Sequence, residues 1–330
     1  MRCVRHFDEF LPQFRNSLSC GFAHAVWGGM ILERSDLIQF IKNTEGMVTP
    51  KTVGGLYQRA EMLSRLPVPV QKWIVGRAGG ESRDIAFVVE PYSLFLAYEI
   101  VDPSDAAQQL PPGYELVPTA MFEGTEPRIC GVVGAFNVHT SVFWGSRVEF
   151  SLIAEHTATG MLSWVICDYE SNTISYDPGQ GFSGSSVLRS VVTTSHSGEV
   201  IVDVKGESRP NRLACVADVK TASMRPLDQR LWLEGNLSVD YGGRLLDDGS
   251  VPFGLVFDPA EVEQALRVPL DALDVEANTF GSGHLAPAPF EACCFPYAQH
   301  FQTTSAPSES LITNRDELER AAQARAADQK

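Results

Sequence analysis

Apolar and polar positions change period once along the chain, near Asp84. Beyond it, short runs rich in Val, Ile, Phe and Thr recur between Gly, Pro, Asp and Asn. Ile85–Val89, Ser93–Ile100, Ile129–Val138, Ser146–Ala154, Met161–Cys167, Val187–Thr194, Val200–Val204 and Leu213–Val219 are predicted strands. Arg147-Val148-Glu149-Phe150-Ser151-Leu152 alternates polar and apolar residues, as a half-buried strand should. Arg147, Glu149 and Ser151 therefore share one face and go together to an interior or to solvent. Before Asp84, Ser35-Asp36 followed by Leu37, Phe40 and Ile41 predicts a capped amphipathic helix. Gly54-Gly55 interrupts that pattern, a second helix runs from Leu56 to about Leu66, and Pro67 and Pro69 stop it. Two helical segments are predicted within the strand-rich body, near Ser104–Leu110 and over Pro259–Arg267, each led by a turn-type residue. Many short strands with turn residues between them favour an antiparallel sandwich or barrel over a βαβ fold.

The pattern divides the chain into residues 1–29, a helical segment 30–84, a β body 85–302 and a tail 303–330. Gly28-Gly29-Met30 followed by Ile-Leu-Glu-Arg-Ser-Asp-Leu reads as a native start. Residues 1–29 are then an over-extended reading frame or a weakly ordered extension. Past Thr303 the chain is rich in Ser, Thr and Pro. It ends in Arg315–Ala327, an Ala-, Glu- and Arg-rich helix without a strong apolar face, expected to be a mobile tail.

Composition narrows the function. The 330 residues are 44% hydrophobic and 20% charged, which excludes a fully disordered chain. Asp and Glu outnumber Lys and Arg by 41 to 26, for a net charge of −15. That balance argues against non-specific nucleic-acid binding and against docking on an anionic membrane. No apolar stretch is long enough to span a bilayer, and the N-terminus lacks a secretory core. Seven cysteines at irregular spacings point to reduced thiols in a cytoplasm, with Cys130, Cys167 and Cys215 as small core residues. The lysines are few: Lys42, Lys51, Lys72, Lys205, Lys220 and Lys330.

The common catalytic motifs are missing. There is no Walker loop and no GxGxxG after a strand. Gly181-Phe182-Ser183-Gly184-Ser185 does not have the order of a nucleophile elbow. The histidines show no HxH or HxxxH spacing, so neither a metal centre nor another cofactor is expected.

Several segments in order nevertheless resemble the acetoacetate decarboxylase family. They are Tyr92–Tyr98, Asp105 with a short helix, and Leu110-Pro111-Pro112-Gly113-Tyr114-Glu115-Leu116. Trp144-Gly145-Ser146-Arg147-Val148-Glu149 follows, then Gly179 and Gly184 at the spacing of the family's glycine loop. Trp232 with Gly235, Val268–Val275 and His284 are similar to its C-terminal stretch. The resemblance covers about residues 85–292. It implies a mainly β (α+β) fold, an antiparallel acetoacetate-decarboxylase-like β-barrel around a small-molecule cavity, here with an N-terminal helical extension.

The family's chemistry does not carry over. Its lysine forms an imine with a β-keto acid and must be neutral to attack. Val187 and Leu188 stand where the lysine pair belongs, with Ser186 at the preceding proline position, and Gln180-Gly181 replaces the loop's Arg-Glu. Gly134 lies near where the family has another acid. Glu149 is the one residue the resemblance carries over, as a general acid or base. Arg147, Gln180, Ser183, Arg189 and His284 are the expected substrate-binding residues. Lys205 and Lys220 are the two candidates to replace the missing amine, and both are expected at solvent-facing strand ends. Two functions follow. One is an enzyme (lyase, hydratase, isomerase or cyclase) acting on a small or medium carbonyl or carboxylate compound without Schiff-base chemistry. The other is a non-catalytic binding or sensing protein that keeps the cavity. The expected partner is that small molecule, with no nucleic acid and no membrane, and a second copy of the chain stays open.

Overall fold

The computed structural model describes residues 66–67, 69–70, 86–140, 144–172, 175–177, 181–246, 252–303, 311–314, 316–317 and 320. The helix predicted from Ser35, nearly all of the one from Leu56 to Leu66, the start at Met30 and most of the tail lie outside them.

In chain order the strands are β1 (Ala86–Val89), β2 (Ser93–Glu99), β3 (Tyr114–Leu116), β4 (Cys130–Thr140), β5 (Trp144–His156) and β6 (Met161–Ser171). Then come β7 (Ser175–Asp177), β8 (Gly181–Ser183), β9 (Val187–Thr194), β10 (Glu199–Gly206), β11 (Arg212–Asp218) and β12 (Ser223–Pro226). The last are β13 (Val239–Tyr241), β14 (Leu255–Phe257), β15 (Gln264–Arg267), β16 (Leu273–Asn278), β17 (Glu291–Phe295) and β18 (Gln299–Thr303). Every predicted strand is present, and the fold is mainly β. The predicted segment Ser104–Leu110 is one capped turn, α1 (Pro103–Ala106), followed by a tighter turn. Asp102 Oδ1 caps it by accepting from the Ser104 and Asp105 N–H groups. Pro259–Arg267 is a correction. Only Pro259–Val262 is a helical turn, and Gln264–Arg267 is β15. Partners on both sides, β12 and β17, satisfy its backbone, so sheet pairing overrides a helical pattern this short.

A large sheet runs β12-β15-β17-β2-β4-β5-β6-β13, and a branch leaves the far end of β4 through β1 and β18 to β14. All of its ladders but β13–β6 are antiparallel. Phe253, just before β14, bridges back to Val239 of β13 through hydrogen bonds of 2.7 and 2.8 Å. Apart from that bridge, no ladder among the described strands joins the two arms, so pairing does not close the expected barrel.

Alternation places an apolar core on each face. On one face Phe95, Phe136, Trp164, Trp232, Phe295 and Phe301 pack together, and Ile312 from the stretch past 303 is buried with them. On the other, a four-stranded sheet, β16-β11-β10-β9, packs Val200, Val202, Val204, Leu213 and Cys215 against Leu94, Leu96, Phe150 and Leu152. The five described cysteines are free and buried. Among the described residues no helix is long and apolar enough to cross a membrane.

Candidate functional site

β5 decides where the polar face goes. Val148, Phe150, Leu152 and Ala154 enter the core under the four-stranded sheet, so Arg147, Glu149 and Ser151 turn to the opposite, aromatic face. Arg147 and Ser151 are buried, and the Glu149 side chain keeps 20% of its exposure. This face goes inward.

Arg147 Nε pairs with Glu149 Oε1. The guanidinium carbon lies 3.8 Å from the centre of the Tyr169 ring. A buried cation is costly unless compensated, and the carboxylate and the ring face together compensate this one. Pairing sets their neighbours. Cys293, Phe95, Gly134, Glu149 and Tyr169 are opposite one another in turn across β17, β2, β4, β5 and β6. A methyl group at Gly134 would meet the Phe95 ring at 2.7 Å. The Cδ1–Cε1 edge of the ring thus abuts the glycine where the resemblance expects an acid. Around it stand Trp232, Phe295, Phe136 and Trp164, with ring centres 5.2, 5.8, 6.2 and 6.5 Å away. Register thus places Glu149 between Gly134, which the Phe95 ring abuts, and Tyr169, with Arg147 paired to it.

A bulge in β6 separates this pair from the other acids nearby. From His156↔Met161 to Ser151↔Ile166 the hairpin is regular, and then Phe150 pairs with Asp168, leaving Cys167 unopposed. Without that extra residue Glu149 would face Asp168. With it, Glu149 faces Tyr169, and Asp168 and Glu170 turn to the other side. There Arg209 donates to Glu170 Oε1 at 2.7 Å, and Asn211 donates to both acids, at 2.7 Å to Asp168 and 2.9 Å to Glu170. Arg244 pairs with Asp168, and Arg209 and Arg244 each donate to the Tyr169 carbonyl at 2.9 Å. Glu170 is fully buried, so this network neutralises a charge that would otherwise be prohibitive.

Among the residues expected at the site whose side chains are described, only Arg147 and Glu149 are brought together. Gln180 lies outside the described residues. Ser183 ends β8, whose backbone pairs with β7. Arg189 is on the exposed edge strand β9, 3.1 Å from Asp203 and opposite Lys205. His284 follows the turn after β16 and contacts Asp105 of α1 at 3.2 Å. Arg189 and His284 thus engage acids of their own neighbourhoods, because β9 belongs to the separate four-stranded sheet and His284 lies in a turn beside α1. Leu188 is 65% exposed. Lys205 is the last residue but one of β10 and Lys220 follows β11 beside Asp218, both exposed. The sequence reading missed Tyr169 and Phe95. Hairpin symmetry about the Thr157–Gly160 turn could have placed β6 against β5, but not the bulge that selects Tyr169.

Other buried titratable groups stand apart. Burial raises the Asp240 carboxyl, which accepts from the Tyr241 N–H at 2.8 Å, and burial together with Asp240 raises the Tyr114 hydroxyl. Burial also raises Glu234, whose Oε1 accepts from the Leu162 N–H at 2.6 Å. No group of three or more His, Cys, Asp or Glu that could hold a metal occurs among the described residues.

No protein-family model and no curated protein matches the chain. Similar solved structures include an acetoacetate decarboxylase from Legionella pneumophila, at 13% identity and TM-score 0.40, covering 67% of this chain and 85% of that one. The enduracididine biosynthesis enzyme MppR complexed with pyruvate is similar at 14% identity and TM-score 0.37, over 67% of this chain and 86% of its own. The same enzyme with HEPES bound is similar at 11% identity and TM-score 0.35, over 68% and 87%. An acetoacetate decarboxylase, of the family that its sequence resembles, is thus among the solved structures similar to this chain.

Proposed function

We propose that the face carrying Arg147, Glu149 and Tyr169 binds a small carbonyl or carboxylate compound, and that Glu149 moves a proton on it without a lysine imine. One observation carries this reading. Glu149 is a reachable carboxylate, 20% exposed, beside a buried guanidinium on an otherwise aromatic face. Such a carboxylate can take a proton from the carbon next to a carbonyl. The C–H electron pair moves toward the carbonyl, whose oxygen gains negative charge, and Arg147 stabilises that charge. The aromatic wall excludes water and strengthens the interaction. A barrel enclosing the face belongs to the same reading and is supported by the Val239–Phe253 bridge between the two arms. So does a reducing, cytoplasmic compartment, which the free buried thiols suit.

Pyruvate is a suitable probe, because its methyl protons exchange with solvent through the enol. The chain should speed loss of the pyruvate methyl signal in D₂O. Glu149→Gln should lower that rate by about 10²–10⁴-fold while pyruvate still raises the melting temperature. Unchanged exchange in Glu149→Gln would remove Glu149 from the mechanism. A borohydride-trapped pyruvate adduct would overturn the absence of imine chemistry and identify the lysine by mass. The second reading, a binding protein without catalysis, is favoured by the Phe95 ring filling the place of a second acid. It requires thermal stabilisation by pyruvate with no exchange.

A further inference from the structure

A groove of about 580 Å³ opens at the β12 edge of the large sheet, between Arg225, Arg267, Leu270, Phe290 and Glu291. Its volume is in the range of small-ligand sites. The Glu291 side chain is wholly buried at its floor. Glu291 Oε2 accepts from the Met121 N–H at 2.7 Å. Oε1 finds no hydrogen-bond donor among the described residues, and Arg267 Nη2 is 3.6 Å away. A buried carboxylate oxygen without a donor is costly and rare in a folded chain. Arg267 is held over the Phe122 ring at 5.5 Å and remains 45% exposed, and Arg225 is exposed at the rim. Register separates this groove from Glu149. Arg267 is opposite Cys293, then Phe95, Gly134 and Glu149, four strand spacings or about 19 Å along the sheet.

The geometry points to a second ligand site, for an α-amino acid with an apolar side chain. On binding, the Arg267 guanidinium, 45% exposed, swings outward, and the ligand's ammonium reaches Glu291 Oε1 and supplies the missing donor. Its carboxylate lies between Arg225 and Arg267, and its side chain rests against Val268, Leu270 and Phe290. The close approach of Arg267 to Glu291 matches a ligand whose two charges sit on one carbon.

L-leucine is the probe, titrated calorimetrically into the full chain, with 4-methylpentanoate (no ammonium) and isoamylamine (no carboxylate) as partial ligands. L-leucine should bind at least about tenfold tighter than either. Arg225→Gln, an exposed change that leaves the fold intact, should weaken L-leucine and 4-methylpentanoate by about tenfold and leave isoamylamine unchanged. Glu291→Gln should weaken L-leucine and isoamylamine only. Glu149→Gln should leave L-leucine binding as it was, so failure of the Glu149 reading and failure of this one give different results. The proposal is overturned if L-leucine does not bind, if it binds no tighter than the partial ligands, or if Arg225→Gln has no effect.

Discussion

Gly134→Ala tests the packing that surrounds Glu149. The new methyl group would sit 2.7 Å from Cε1 and 2.8 Å from Cδ1 of Phe95, and 3.7 Å from Cε1 of Phe136. Carbon atoms rest at about 3.5–4.0 Å, so the Phe95 ring must retreat by about 1 Å. Its way is closed by Trp232 and Phe295, whose ring centres are 5.2 and 5.8 Å from its own. Overpacking of this kind costs about 1–3 kcal/mol, and the lower chain entropy of alanine returns about 0.5–1 kcal/mol. The variant should be less stable by about 1–2 kcal/mol. Urea unfolding should show a lower midpoint at unchanged slope. The control is Phe95→Leu, in which the ring edge is gone. There the same Gly134→Ala change should cost about 1 kcal/mol less, as a coupling energy. A Gly134→Ala variant as stable as the parent, or a coupling near zero, would refute the argument that the ring edge abuts the glycine.

Arg209→Met leaves the fully buried Glu170 with Asn211 but without its cation, and should cost about 3–5 kcal/mol in urea unfolding. Adding Glu170→Gln should recover part of the loss, and no recovery would mean that the pair is not the cause. Glu234 is raised by burial, so the folded state holds its proton to higher pH than the unfolded chain does. Its contribution to stability therefore falls as pH rises from the ordinary carboxylate range through the folded value, and is flat above it. Glu234→Gln should raise the melting temperature at pH 7 and make no difference below about pH 4. A Glu234→Gln variant less stable at pH 7 would contradict this. Burial pushes the thiols of Cys130, Cys167, Cys215 and Cys294 up to about 12 and raises Cys293 well above its ordinary value. With Cys3 and Cys20 changed to Ser, the native chain should react with a disulfide reagent only as fast as it unfolds. A fast-reacting thiol would contradict the packing of these residues.

The strands legible in the sequence were those with apolar runs or clear alternation, β1, β2, β4, β5, β6 and β9 to β11. The short ones, β3, β12, β13 and β14, carry three or four residues each, too few for a period to declare itself. β15 fell inside the segment Pro259–Arg267, whose leading turn-type residue predicted a helix, and only its two neighbours make it a strand. At the candidate site, alternation put Arg147 and Glu149 on one face but could not say whether that face was wet. The four-stranded sheet decided it, by taking the opposite face of β5 for its own core.

The sequence by itself determined local matters: which runs alternate, that Arg147 and Glu149 point the same way, and that neither Val187 nor Leu188 can form an imine. These depend on residue identity and on a backbone period that every strand obeys. Tertiary structure alone decided the partners. One unopposed residue, Cys167, turns Tyr169 toward Glu149 and sends Asp168 and Glu170 to Arg209 and Arg244 on the far face. A one-residue change of register inverts every side chain beyond it, and register is a property of two strands together.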